Sequence, residues 1–344
     1  MRFLSDNTAS ASPEILEAIL AANDGLEPGY GEDRWSQRLD RVFGEYFDAA
    51  VRVFPVATGT AANALALATV TPPYGAIFAH EEAHVVRDEC TAPEFFSGGA
   101  RLVTIAGRHG KLTGDALVRA LESNPPSVHS PQPAALTLTQ ASEYGTVYRS
   151  AEIAELAEIA HGRRLAVHMD GARFANAVVT LACDPAETSW RAGVDVLSFG
   201  ATKNGALGAE AVVFFDLARV SDFELRRKRA GHLFSKARYA AAQLLAYIES
   251  GVWRRNAARS NDLALRIGAA AAERLLAPVE ANEVFIALGE EAKRELRNAG
   301  FEFYDWGAER SGAARFVVSW DQREEDVSAL CAALSLAGAR ISPR

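Results

Sequence analysis

Cysteine is scarce: Cys90, Cys183 and Cys331 are the only three in 344 residues. The count is odd and no pair has CxxC spacing. A disulfide framework and a zinc site are therefore not indicated, and a reducing cytoplasm is the expected compartment. Long apolar runs are missing too. None reaches the roughly 18 residues of a membrane span, and the opening "MRFLSDNTAS" lacks an apolar core of signal-peptide length. Basic residues do not predominate. With 36 Lys and Arg against 44 Asp and Glu, the net charge is −8, so the basic face that binds nucleic acid is not expected. Neither GxGxxG nor GxxxxGK[ST] occurs, which argues against a dinucleotide or nucleoside triphosphate. Internal repeats and low-complexity tracts are absent.

What is there reads as an ordinary globular chain, 49% hydrophobic and 23% charged, long enough for two domains. "SASPEILEAILAAN" predicts a helix with Ser12 as N-cap and Pro13 in its first turn. "VRVFPV" (51–56) reads as a strand and "AANALALATV" (61–70) as a helix. Short apolar runs at 76–80, 135–140, 165–170 and 194–199 read as further strands, several of them separated by helical segments such as 150–161. That alternation implies α/β architecture with a mostly parallel sheet covered by helices. The pattern changes after about residue 250. The stretch 240–275 reads as a long linking helix. Runs at 283–289, 301–306 and 315–320 read as strands of a smaller α+β unit, followed by a helix with Asp321 and Glu324 in capping-box positions. The expected division is an N-terminal segment (1–24), a large domain (25–250) and a small C-terminal domain (251–344).

Open α/β sheets bind ligands beyond the carboxyl ends of their strands, so those ends were read for chemistry. "VFPV" leads into "ATGTAAN", where Thr58, Gly59 and Thr60 open a helix. This is either a phosphate cradle at a helix N-terminus or a plain strand-to-helix turn. "LAVHMD" ends on Asp170 before "GARFANA", with His168 on the same strand face. Asp170 either pairs with Arg173 or faces a protonated ring nitrogen of a ligand. "LSFGATKNGALGAEAVVFF" carries a lone Lys203 in a glycine-rich turn between two strand-like runs. An amine partly desolvated near positive groups becomes a competent nucleophile. A helix N-terminus, an aspartate and a lysine at successive strand ends suit one cofactor, pyridoxal 5′-phosphate, which presents a phosphate, a pyridine nitrogen and an aldehyde. His84 could stack on such a flat ring or be an ordinary loop histidine. His129, in a proline-rich loop, is open between a surface role and a base. His80, His109, His161 and His232 read as structural or surface residues.

These segments resemble the pyridoxal-phosphate-dependent threonine aldolases, in the aspartate aminotransferase superfamily (fold type I). The resemblance runs through "FLSDNTASASPEILEAI", "GYGEDRW", "AHVVRDECTAPEFFSGGARL", "LTQASEYGTVY", "HMDGARFANA", "GATKNGALGAE", "AGHLFSKARY" and "ARFVVSWD" in order. "TQASEYGTVY" and "TKNG" look like the low-specificity L-threonine aldolase and phenylserine aldolase branch. The resemblance implies a seven-stranded, mostly parallel sheet and a small C-terminal domain. It implies Lys203 as the residue that bonds the cofactor aldehyde, Asp170 on the pyridine nitrogen, and Gly59, Thr60 and Thr202 on the phosphate. It implies His84 on the ring, and Ser5, Arg173 and Arg315 on the substrate α-carboxylate, with Arg173 also near the cofactor. His129 matches a histidine near the substrate hydroxyl. Tyr30 and Arg238 match positions that reach substrate and cofactor across a dimer interface.

The implied reaction is retro-aldol cleavage of L-threonine, L-allo-threonine and phenylserine-type substrates to glycine and an aldehyde. His129, His84 or an ordered water are the candidate bases for the β-hydroxyl. The implied assembly is a homodimer or homotetramer with shared sites. Competing readings are β-elimination, racemisation or transamination with the same cofactor, a cofactor-binding protein without catalysis, and a plain nucleotide-binding α/β protein.

Overall fold

The structure is a computed structural model that describes residues 1–308 and 311–341. Its main sheet has seven strands: β1 (Arg52–Val56), β2 (Gly75–His80), β3 (Arg101–Ile105), β4 (Gln132–Thr139), β5 (Ala166–Gly171), β6 (Val196–Gly200) and β7 (Glu210–Phe214). The order is β1-β7-β6-β5-β4-β2-β3, and only the pairings of β7 are antiparallel. A second, antiparallel sheet joins β8 (Glu283–Ala287), β10 (Ala313–Val317) and β9 (Tyr304–Trp306), with β10 central.

Strands β2, β5, β6 and β7 are buried along their whole length, because helices cover both faces of the sheet. Their near-continuous apolar runs follow from that. β1 contains Pro55, which has no N–H for a ladder; β1 lies at the sheet edge, where a strand tolerates proline. β3 is the other edge. It is half-exposed with weak apolar alternation, so it carries no strand signal in the sequence.

The helix Gly59–Val70 is alanine- and leucine-rich and buried nearly all round, as expected for a helix sandwiched between the sheet and outer helices. The helix Pro13–Ala22 begins where the sequence predicts, but Ser12 makes no side-chain cap. Its hydroxyl instead accepts from Asn256 Nδ2 at 2.9 Å. The expected linking helix is two helices, Arg238–Glu249 and Val252–Ala271, broken at Gly251 with φ +71°. Val252, Trp253 and Ala257 pack in the core of the main sheet, while Leu263, Ala264 and Ile267 pack with Phe3, Phe316 and Leu330 around the small sheet. The proposed capping box does not form. Asp321 accepts from the Ser10 N–H and the Ser319 hydroxyl, and Glu324 pairs with Arg259 and Arg266.

Beneath Asp170 lies His168, fully buried on β5. Its Nδ1 lies 2.8 Å from Thr137 Oγ1 on β4, and its Nε2 lies 2.9 Å from Ser198 Oγ on β6. Hydroxyls satisfy a neutral ring on both sides, since each can donate or accept. Burial pushes the imidazole down to about 4, with Asp170 acting in the opposite direction. Between the ordinary value of 6.5 and about 4, the unfolded chain binds a proton that the folded chain refuses. The stability due to this residue therefore falls as pH falls through that window, by about 3 kcal/mol at most. Urea unfolding of the parent and of His168→Asn checks this. The stability gap should narrow from pH 6.5 toward 4; a gap constant with pH would show that the ring is not held neutral.

Candidate active site

A cavity of about 260 Å³ opens at the carboxyl ends of β4, β5 and β6. One end is the start of the helix Gly59–Val70. Thr58 caps that helix, its hydroxyl accepting from the Ala61 N–H at 3.1 Å. The N–H groups of Gly59 and Thr60 precede any possible helical acceptor, so they and the dipole are available to an anion. A Cβ built on Gly59 meets nothing within 4 Å, so the cradle has room. The Thr202 hydroxyl borders the same end of the cavity. Next to it the buried Glu210 carboxylate accepts from the N–H groups of Ala201 and Thr202. Burial pushes Glu210 up to about 7.

The other end holds Asp170, 4% exposed. Its Oδ2 accepts from Asn63 Nδ2 at 2.8 Å and its Oδ1 from the Ala172 N–H at 3.0 Å. Each oxygen keeps a further lone pair. Arg173 does not pair with Asp170, so of the two readings of this aspartate the salt bridge is excluded. Asn63 also donates to Glu89, which lies 2.8 Å from His84 Nδ1. The Glu89 hydrogen bond raises His84, and burial raises Glu89, so a proton is retained between them. Asn63 Oδ1 and Glu89 Oε2 are buried without a partner.

Lys203 stands in the short turn Thr202–Asn204 after β6. Asn204 pins that turn through Tyr247 Oη at 2.6 Å and the Trp253 carbonyl at 2.8 Å. Gly205 then reverses the chain at φ +114°. The Lys203 amine makes no hydrogen bond or ion pair among the described residues. The sequence reading surrounded it with positive groups; the structure surrounds it with Asp6, Glu143 and Glu210, whose carboxylates all feel its charge.

Arg173 borders the cavity but is already committed. Its Nε and Nη2 donate to Asp6 at 2.8 and 2.9 Å, and its Nη1 lies 3.2 Å from Glu283. Burial opposes its charge, but Asp6 and Glu283 outweigh that and hold the guanidinium ionised. Burial would likewise raise Asp6, yet Arg173 and Lys203 hold it low.

Thr58, Gly59, Thr60 and His84 thus share one cavity with Asp170, Arg173, Thr202 and Lys203. Five other expected residues do not join them in this chain. His129 lies in an exposed loop before the amino end of β4, whereas the cavity of the same chain is at the carboxyl end, about 26 Å of strand away. Ser5 caps the turn Asp6–Thr8 through the Asn7 N–H; its neighbour Asn7 borders the cavity instead. Arg315, on β10, lies over the rings of Tyr304 and Trp306. Tyr30 is 55% exposed with Lys228 over its ring, and Arg238 donates to the Gly25 carbonyl. Asn63, Glu143 and Glu210 border the cavity and were not singled out from sequence, although each lies inside a segment that was quoted.

The fold and this constellation define the fold type I architecture of pyridoxal-phosphate enzymes. A family described as Beta-eliminating lyase matches residues 2–291. A low specificity L-threonine aldolase from a Pseudomonas species is 43% identical over 96% of both chains. Its namesake from Pseudomonas aeruginosa is 43% identical over 96% of this chain and 95% of its own. A Leishmania major threonine aldolase superposes with a TM-score of 0.91 at 25% identity, covering 98% of this chain and 99% of its own. The chain belongs to the beta-eliminating lyase family, on its threonine aldolase side.

The lysine turn depends on Gly205. A Cβ there would lie 2.3 Å from Ser12 Oγ and 2.6 Å from Asn256 Nδ2, at a φ that L-residues avoid. Gly205→Ala should cost more than about 2 kcal/mol in urea unfolding. Gly208→Ala, with nothing within 4 Å, should stay within about 0.5 kcal/mol. Equal effects would remove the steric explanation.

Proposed function

We propose that this chain is a pyridoxal-phosphate-dependent aldolase. It cleaves L-threonine, L-allo-threonine and related β-hydroxy-α-amino acids, phenylserine types included, to glycine and an aldehyde. The observation that carries the reading is the meeting of an unpaired lysine amine, a fixed aspartate and an open helix N-terminus around one cavity, in a chain 43% identical to enzymes named for that reaction.

The residues present suit the cofactor at each of its ends. The Gly59 and Thr60 N–H groups with the Thr202 hydroxyl receive the phosphate. Asp170 receives a ring N–H, and the partnerless Asn63 Oδ1 and Glu89 Oε2 leave polar capacity at that end. His84 lies against the ring. When bound, the cofactor supplies an electron sink for the pair released at Cα. Lys203 would hold the cofactor through its amine and is the group placed to hold a proton at Nζ for Cα. Asp170 would fix the ring's orientation from its own fixed position between Asn63 and the Ala172 N–H. We assign the α-carboxylate to Arg173, which borders the cavity although Asp6 and Glu283 already hold it, and to Arg315, which lies outside the cavity lining but whose Nε has no partner. Stacking strands in alternation puts Arg315 on the same face of the small sheet as Glu283.

Tyr30 and Arg238 serve the site of a second copy in a homodimer or homotetramer, which fits their distance from the cavity of their own chain. Among the described residues no helix is long and apolar enough to cross a membrane. A cytoplasmic setting fits three free cysteines.

The test is product analysis with L-threonine. Glycine and acetaldehyde in equal amounts are expected. Ammonia with a keto acid would instead support the β-elimination that the family's description names. Lys203→Ala should lower turnover by at least about 10³-fold and abolish the visible absorbance of the lysine-bound cofactor. Turnover surviving that change would refute the role of the lysine.

A further inference from the structure

Three carboxylates border the cavity: Asp170, Glu210 and Glu143. Two are engaged. Asp170 accepts from Asn63 and Ala172, and Glu210 from Ala201 and Thr202. Glu143 makes no hydrogen bond or ion pair among the described residues. It is half-buried, and its position is tightly fixed. It occupies the turn Ser142–Gly145, closed by the Gly145 N–H on the Ser142 carbonyl and the Ser142 N–H on the Thr146 carbonyl, both at 2.8 Å. The hydroxyls of Ser142 and Thr146 both donate to the His109 carbonyl. Gly145 approaches β8 so closely that a Cβ would lie 3.0 Å from the Glu283 carbonyl oxygen. Tyr144, next along, packs on Phe285 and Trp306 of the small sheet at ring distances of 5.3 and 5.4 Å.

The other basic groups at the cavity are poorly suited to take a proton. His84 is bonded to Glu89 and holds its own proton more firmly than a free imidazole does. His129 is at the far end of β4. The nearest cations, Arg173 and Lys203, have no lone pair to offer while charged.

We propose that Glu143 is the group that accepts the β-hydroxyl proton of the substrate. The inference rests on the aldolase reading above. In the step, the substrate O–H bond breaks and its proton passes to a Glu143 carboxylate oxygen. The oxygen's electrons form the aldehyde C=O, and the Cα–Cβ pair leaves toward the cofactor's electron sink. Glu143 returns the proton to solvent as the aldehyde departs.

The surroundings tune Glu143 for this. Burial and the Glu283 carboxylate on β8 push it up to about 7, against the pull of Arg173, Lys203 and His84. A base whose proton affinity lies near the working pH is the efficient one. Glu283 is therefore a positioning residue: by charge alone it makes Glu143 more basic. Both its oxygens are buried without a hydrogen bond, and Arg173 Nη1 lies 3.2 Å from one of them, so its effect on Glu143 is what remains after that pairing.

The test compares two reactions of the holoenzyme. Threonine cleavage needs a β-hydroxyl base. Exchange of the glycine Cα proton with D2O, followed by NMR, needs the cofactor, Lys203 and Asp170 but has no hydroxyl to deprotonate. In Glu143→Gln, threonine cleavage should fall by about 10²-fold or more, with glycine exchange within about threefold of the parent. The parent's kcat/KM should rise through a limb near pH 7. That limb should be missing in Glu143→Gln and should move to lower pH in Glu283→Gln. Cleavage within about threefold of the parent, or a parallel loss of cleavage and exchange, would overturn the proposal. A parent that exchanges glycine but releases no aldehyde from threonine would overturn the aldolase reading itself, and this proposal with it.

Discussion

The ion-pair knot of Asp6, Arg173 and Glu283 is the constraint on which the rest of the molecule depends. Its members come from three distant parts of the chain: the N-terminal segment, the turn after β5 and the first strand of the small sheet. Asn282 adds a bond from its amide to Asp6 Oδ2 at 2.9 Å. Each charge is nearly fully buried. Removing one member of such a group leaves the others uncompensated, typically at 3–5 kcal/mol. The knot closes the small sheet against the large one, and it does so at the wall of the cavity. Two carboxylates on one guanidinium leave a net negative charge there. Of its members, Glu283 adds to the rise that burial imposes on Glu143, and Arg173 acts against it.

A second regularity is that side chains bordering the cavity are held by others rooted beside or outside it. The Lys203 turn is held by Asn204, Ser12 and Asn256, all anchored outside the cavity. Asp170 is held by Asn63, and His84 by Glu89. Asp170 and His84 are thus oriented by neighbouring side chains, and Lys203 through the backbone of its turn. His168 extends this downward by bridging β4, β5 and β6 directly below Asp170.

The main sheet was legible in the sequence because its strands are buried on both faces, which writes itself as short apolar runs between helical periods. Thr58, Gly59, Asp170 and Lys203 were legible for a related reason: topology sends every parallel strand end to the same side, so chemistry at successive strand ends converges. β3 was not legible, because a half-exposed edge strand has no continuous apolar run. The break at Gly251 inside the expected linking helix was missed because helical periodicity continues on both sides of it. Among site residues, His129 was named from resemblance alone, and its loop at the amino end of β4 lies away from the cavity of its own chain. Asp6, Glu143 and Glu283 were invisible for the opposite reason. Lone acids in loops and at a strand start carry no spacing signal, and their meaning arises only when three segments meet. The pairing of Arg173 was invisible on the same point: its partners are Asp6 and Glu283, 167 and 110 positions away, not the nearby Asp170.

The division of labour in the cavity also explains how one fold serves different bond cleavages. The helix N-terminus, Asp170 and Lys203 would act alike in any reaction that puts an electron pair into the same ring, so they cannot select the bond that breaks. Selection belongs to what surrounds Cβ. Here that wall is the 142–145 turn and the face of β8 it rests on, contributed by a loop of the large sheet and by the small sheet together. A carboxylate there can draw a proton from a hydroxyl but has nothing to act on in a substrate that lacks one. On the proposal above, changing this wall would change the reaction while leaving the cofactor's grip intact. The physical identity of this chain therefore lies less in its lysine than in the acid that faces it.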